Sequence, residues 1–422
     1  MLLNRIGGDI RIDIPPSTCI QCRGAKLLCG KPVCPIVLRA QSLLKAKTKI
    51  DNERIEGSSP PSFFVGRIGY PKLLAGPLVP PEKGDTSLYA TPEKWRNLTF
   101  EDIVDFRSIL IRGKKKLDVK AARNPPSYLL KLHDAALSTK PVESEMILKR
   151  PPTIYLSFSE EAPPFGPSAP LVNLKVRPLR AECKIEKLYY DDLSAKDSIL
   201  ILYNSRIPIS KISEVLSLGM LGTKRNRKLV PTRWSITAVD SAISEELVNE
   251  LKGHPPLNEV LVYVFEKMGN KYVTILIPGK WSFEWIESWF PGTTWNPKGY
   301  VPEVMGDYEG YKGRSEYPDI GGCYYASRLA VSELLCKMRR QAKALLIREI
   351  YHDYLLPLGV WVVRESLREA YEKEPIKFDD LKEALEFVSS KLKVPFGRYL
   401  KASRIVKEEI KQRKLVDFTD FR

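Results

Sequence analysis

Apolar and polar positions vary over short runs through the middle of the chain. At 153–158, 198–203, 259–266 and 271–278 the runs are rich in β-branched and aromatic residues, which predicts strands. The last two flank Met268, Gly269 and Asn270 and predict a β-hairpin. Past Gly322 the period changes. Leu329, Leu334, Leu335, Met338, Leu345, Leu346 and Ile350 recur at three- and four-residue steps, with Arg339, Arg340 and Lys343 between them, which predicts helix. Further helices are expected after Pro357, near Phe378 and near Arg398, and a last one from Ser403 to Lys414. Strands grouped before helices predict an α+β fold with a mixed or antiparallel central sheet and a helical C-terminal part.

Between 52 and 81 the chain is rich in Pro, Gly and Ser, including GSSPP at 57–61 and PLVPP at 77–81. This reads as a linker followed by a loop-rich entry. The expected division is therefore a small basic module over 1–50, an α+β core over 51–320, a helical part over 321–402, and a terminal helix with a tail over 403–422. With 422 residues, 43% of them hydrophobic, the chain is long enough to bury a large core.

Charge sharpens this picture. Lys and Arg number 67 against 51 acids, a net +16, which favours a polyanionic partner through counterion release. Residues 1–50 hold nine basic side chains and only Asp9 and Asp13 as acids. Glutamine occurs only at 21, 41, 341 and 412, a depletion that matches a thermophile. No apolar run of about 18 residues occurs, and Arg5, Asp9, Arg11 and Asp13 interrupt the N-terminus. A soluble, cytoplasmic protein is expected, with no membrane partner.

Four of the seven cysteines, Cys19, Cys22, Cys29 and Cys34, form a C-x2-C-x6-C-x4-C array inside the basic stretch. Two thiolates two residues apart can hold one metal through a tight turn, and two more close a tetrahedral shell. The reading is a structural zinc module, with an iron–sulfur cluster or two disulfides as alternatives. Cys183, Cys323 and Cys336 have no partners at ligand spacing and read as small core residues.

The chain ends in QRKLVDFTDFR at 412–422. Gln412, then Leu415 and Phe418 at three-residue steps, have the layout of a peptide that docks on a replication sliding clamp. One helical turn sets Leu415 and Phe418 on one side for an apolar pocket. Thr419 stands where a second aromatic is usual, and Phe421 is the substitute. The alternative is that Leu415 and Phe418 fasten the last helix to the core.

The sequence resembles the archaeal Nre DNA-repair family, with its NreA and NreB branches. The resemblance rests on CIQCRGAKLLCGKPVCP at 19–35, GRIGYP at 66–71, PTRWSITAVD at 231–240 and the tail, and it covers the whole chain. It implies a role in DNA-damage repair with the sliding clamp as partner, and it implies no settled reaction or catalytic residue.

Other chemistry is weakly marked. Lys224, Arg225, Arg227, Lys228 and Arg233 are the five cations of a stretch, 219–239, without an acid; with Trp234 as a stacking platform they are candidates for nucleic acid or phosphate, against a solvated turn. Arg67, in a glycine-flanked loop, is a further candidate, and Arg233 near Asp240 would complete a pocket. A second cluster over 112–116 reads equally as a surface loop. Trp281, Trp285 and Trp289 would share one face of a short helix, on which Glu284 and Glu287 would lie a turn apart. Motifs for a motor ATPase, a dinucleotide oxidoreductase and a serine hydrolase are absent. The reading is a DNA-binding repair protein recruited by the clamp. An enzyme acting on nucleic acid or using a nucleotide cofactor, and a non-enzymatic adaptor, are its rivals.

Overall fold

Ser58, Ser59 and Ser62, inside the stretch that reads as a linker, are buried in strands. Ser59 Oγ donates to the Leu78 carbonyl at 2.9 Å, and Thr86 Oγ1 to the Ser58 carbonyl at 2.6 Å. Small residues there permit close backbone approach: a Cβ on Gly57 would lie 1.8 Å from the Pro80 carbonyl oxygen. Low side-chain volume is thus a packing requirement of the sheet and not a mark of disorder.

The computed structural model describes residues 10–12, 21–47, 52–156, 164–178, 181–297 and 299–416, without the side chains of 10–12, 47, 155–156 and 411–416. The chain divides into two compact units, 1–26 with 34–243, and 27–33 with 244–422.

The strands of the first unit are β1 (Ile10–Ile12), β2 (Arg54–Ser59), β3 (Ser62–Val65), β4 (Lys72–Val79), β5 (Ile111–Asp118), β6 (Val142–Leu148), β7 (Ile154–Leu156) and β8 (Ser168–Arg177). Six of them form a sheet in the order β2-β6-β8-β5-β4-β3, with β5 and β8 parallel and the other pairs antiparallel. The helix Ser127–Leu137 packs on β8 and the helix Ile209–Ser217 on β3. The helix Phe100–Ile109 begins at a capping box, in which Thr99 and Asp102 satisfy each other's backbone N–H. Residues 198–203, expected as a strand, belong to the helix Ala195–Asn204, capped by Ser194 accepting from the Asp197 N–H. A short apolar run fits either state by periodicity alone.

The second unit holds β9 (Val260–Lys267), β10 (Asn270–Ile277), β11 (Ser282–Trp289), β12 (Glu303–Glu309), β13 (Lys343–Ile350) and β14 (Ile376–Phe378), ordered β12-β11-β13-β10-β9-β14. The expected hairpin is β9 and β10, turned by Met268 and Gly269 at φ +49° and +69°. Both signs match the primed turn that suits twisted strands. Only β11 and β13 are parallel. Helices cover both faces: Trp281, Phe283 and Trp285 form the core under Cys323–Met338 and Trp361–Ala370, and Val262, Ile275 and Ile347 that under Leu381–Lys391, Phe396–Ala402 and Arg404–Val416.

The fold is α+β with two mixed sheets, where a single central sheet was expected. The C-terminal part is helical but interrupted: the helix ends at Met338, with Arg339 left-handed at φ +54°, and 343–350 is the central strand β13. Among the described residues no helix is long and apolar enough to cross a membrane.

Candidate nucleic-acid interface

Three blocks far apart in sequence are stitched together around Val119 in the first unit. The Val119 N–H donates to the Pro71 carbonyl at 2.9 Å, and the Val119 carbonyl accepts from the Leu229 N–H at 2.8 Å. The Val65 N–H donates to Thr232 Oγ1 at 2.8 Å. The loop 66–71, the basic turn 224–228 and the first turn of the helix Thr232–Leu251 are thereby held side by side. Gly69 has φ +88°, and a Cβ there would press to 3.0 Å on the Lys72 carbonyl oxygen, so glycine is required where the loop reverses.

On this surface the Tyr70 and Trp234 rings lie with centroids 6.4 Å apart and planes tilted by 43°. They are 56% and 49% exposed. Burial gains neither ring its full hydrophobic contribution, so the pair is placed for contact and not for core packing. Arg67, Lys72, Lys224, Arg225, Lys228 and Arg233 are exposed on the same segments. Half-exposed rings among cations suit a single-stranded polyanion, with bases stacking on the rings and phosphates facing the cations.

Arg227 does not join them. It is 7% exposed, donates from Nε to the Gly222 carbonyl at 2.9 Å and from Nη2 to the Tyr189 carbonyl at 2.5 Å, and lies 4.7 Å over the Tyr189 ring. Its guanidinium fastens the turn from inside, and a phosphate cannot share those donors. The expected pocket between Arg233 and Asp240 also does not form, because Asp240 is buried with 0% exposure two helical turns past the exposed Arg233. Sequence reasoning brought the Arg67 loop and the Arg233 segment to one site but gave no role to Tyr70 by itself or to Lys72; the contact of the Tyr70 and Trp234 rings is what it missed.

The tryptophan and glutamate series of the second unit is not helical. Trp285 and Trp289 lie on β11, and their indole N–H groups donate to Glu287, at 3.2 and 2.9 Å, while Trp281 and Trp285 are core residues. Glu287 also accepts from Arg348 at 3.0 Å. Glu284 lies three strand residues away and so on the opposite face, where it accepts from Ser403, Arg404 and Ile405. Two carboxylates on opposite faces of a sheet cannot act as an acid/base pair.

Of the four array cysteines, Cys19 lies outside the described residues. Cys22 is buried and Cys34 half-buried in the first unit, and Cys29 is exposed in the second. Among the described residues no three His, Cys, Asp or Glu side chains gather to hold a metal ion. The Cys22 carbonyl accepts from the N–H groups of Ala25 and Lys26, both at 3.2 Å, and Arg23 and Gly24 are left-handed. A Cβ on Gly24 would stand 3.7 Å from Cys34 Sγ. The turn after Cys22 therefore lies against Cys34. The side chains of Gln412, Leu415, Phe418 and Phe421 lie outside the described residues; the backbone helix Arg404–Val416 carries the first two.

The model of the N-terminal part of archaeal Nre proteins matches residues 28–296, and that of the C-terminal part matches 309–418. The chain is 42% identical to the DNA repair protein NreB of Archaeoglobus fulgidus, over 95% of this chain and 99% of that one. It is 36% identical to the DNA repair protein NreA of the same organism, over 89% and 93% of the two chains. Against the DNA repair protein NreA of Haloferax volcanii it is 36% identical, over 82% and 84%. No solved structure matches.

Proposed function

Because the chain belongs to the archaeal Nre family, we propose that it is a DNA-repair protein that grips single-stranded DNA on the Tyr70–Trp234 surface and is brought to its substrate by a sliding clamp. One observation carries the DNA reading: two half-exposed aromatic rings 6.4 Å apart, with Arg67 and Arg233 exposed on the same two segments. Stacking of a base on such a ring contributes about 1–3 kcal/mol. The exposed arginines add phosphate contacts whose strength falls with salt.

Recruitment rests on Gln412, Leu415, Phe418 and Phe421, with the spacing that presents one apolar side to a pocket. Cys19, Cys22, Cys29 and Cys34 would hold a structural zinc ion, since four thiolates leave no open position for a reacting water. The ion then fixes the basic N-terminal segment as a folded contact element. This favours the binding protein over the enzyme, for which Arg67 and Arg233 would need a carboxylate beside them that Asp240 does not supply.

Fluorescence anisotropy with a labelled single strand tests the grip. Trp234→Ala should weaken binding about 10- to 100-fold, and Arg67→Ala should flatten the salt dependence by about 0.7 in log–log slope. Unchanged affinity in Trp234→Ala refutes the reading.

A further inference from the structure

Arg112, Lys114 and Lys116 stand at alternate positions of β5 and so share one face of the first sheet. The register carries that face onto Leu78 and Leu74 of β4, and onto Ser168 and Pro170 of β8. The opposite face is core: a Cβ on Gly113 would meet Met146 Sδ at 2.8 Å and Leu171 Cδ1 at 3.0 Å. The stretch that reads as a surface loop is thus a strand lending a row of cations to one side of the sheet.

Arg112 is the unusual member. Its guanidinium carbon lies 3.9 Å over the Phe165 ring and 5.7 Å over the Phe64 ring. Its Nε is fully buried and has no hydrogen-bond partner among the described residues. No carboxylate among them relieves it; burial lowers its pKa to about 10. Lys114 is lowered to about 8, first by burial and then by repulsion from Arg112 and Arg150. Lys114 therefore feels two arginines, and no acid among the described residues offsets them. Aromatic faces return only part of the hydration that a desolvated cation gives up, whereas a buried donor left unpaired bears its desolvation cost in full, and a charged one bears more. A site that bears this cost in the free protein is built for an anion.

We propose that Arg112 and Lys114 form a phosphate-binding site on the half-buried face of β5 that carries them, taking inorganic phosphate or the terminal phosphate of a nucleotide. A guanidinium forks onto two oxygens of one phosphate. Lys114 supplies a point charge to a third oxygen, and Phe64 and Phe165 exclude water from the guanidinium faces. The site stands independently of the Tyr70–Trp234 surface, since it uses none of the same side chains.

The test uses the full chain, with calorimetry and thermal unfolding in phosphate-free buffer and then with inorganic phosphate, with deoxyadenosine 5′-monophosphate, and with oligonucleotides bearing a 5′-phosphate or a 5′-hydroxyl. Each phosphate-bearing probe that binds should raise Tm. Arg112→Met should weaken phosphate binding at least 10-fold, a loss of about 1.4 kcal/mol, without lowering Tm in phosphate-free buffer. Trp234→Ala should leave phosphate binding unchanged. Tighter binding of the monophosphate than of phosphate assigns the site to nucleotides, and tighter binding of the 5′-phosphorylated strand than of its 5′-hydroxyl counterpart assigns it to strand ends. If Arg112→Met melts well below the wild type and binds phosphate equally, the guanidinium is a structural plug and the proposal fails. Should that variant not fold, Lys114→Met decides, because undiminished phosphate affinity there overturns the site.

Discussion

The Glu284 carboxylate on β11 accepts the backbone N–H of Arg404 at 2.7 Å, at the start of the last helix, Arg404–Val416. It also accepts from Ser403 Oγ at 2.6 Å and the Ile405 N–H at 3.1 Å. The first N–H groups of a helix have no partner within it, and an anion there also meets the positive end of the helix dipole. A buried sheet residue thus fixes where the terminal helix starts. Burial raises the Glu284 pKa although these three donors oppose the rise. Glu284→Ala should therefore lower stability by about 1–3 kcal/mol and speed amide exchange at Arg404 and Ile405. Unaltered exchange at those two amides would show that the helix is held by packing alone.

The tail reading predicts a separation of stability from recruitment. Removing residues 412–422 takes away Gln412, Leu415, Phe418 and Phe421 but leaves Ile405 and Val406, which are the parts of the helix buried in the core. Clamp binding by calorimetry should vanish while Tm stays within a few degrees. Retained clamp affinity in the truncated chain refutes the docking peptide.

For the cysteine array, elemental analysis should find one zinc per chain, lost in the Cys19→Ser/Cys22→Ser double variant. If the array holds zinc, metal binding and folding of this segment are coupled, because the thiolates must be brought together first. Chelation should therefore expose the 21–47 segment to protease. Two or four iron atoms per chain, with matching acid-labile sulfide and visible absorbance, would assign the cluster alternative in place of zinc.

How much of this was legible depended on whether a local pattern had a single solution. The hairpin was legible, because alternating residues and Met268–Gly269 point the same way. The strand β11 was not: tryptophans four residues apart share a face in a strand as well as in a helix, and Glu284 and Glu287 differ in face only in the strand. The stop at Met338 was hidden because Arg339, and not a glycine, takes the left-handed position. The helix Ala195–Asn204 was announced by Ser194 and Asp197, and the apolar run behind them drew the reading to a strand. At the interface, sequence named Arg67, Arg233 and Trp234 but could not rank Arg227 below Lys224, because whether a cation points out or in depends on Tyr189 and Gly222.

Acid stability offers a sharper test of the interior beneath that surface. His133 is buried, with Nε2 3.0 Å from the Leu218 carbonyl and Nδ1 3.2 Å from the Tyr189 hydroxyl. The contacts fit a neutral ring that donates from Nε2 and accepts at Nδ1. Burial, with a smaller contribution from Arg227, lowers its pKa from 6.5 to about 4, against the opposing hydrogen bond to Leu218. In the unfolded chain the ring takes a proton near the ordinary value, while in the folded chain it resists until about 4. Stability from this group is therefore complete above pH 6.5 and is lost as the pH falls toward about 4, by about 3 kcal/mol in all. His133→Gln keeps a donor for Leu218 but cannot titrate. Urea midpoints at pH 7, 5.5 and 4 should fall more steeply for the wild type than for His133→Gln, and the difference isolates this residue from the carboxylates titrating in both proteins. Parallel curves would mean that the ring is protonated in place and that its hydrogen bonds run the other way.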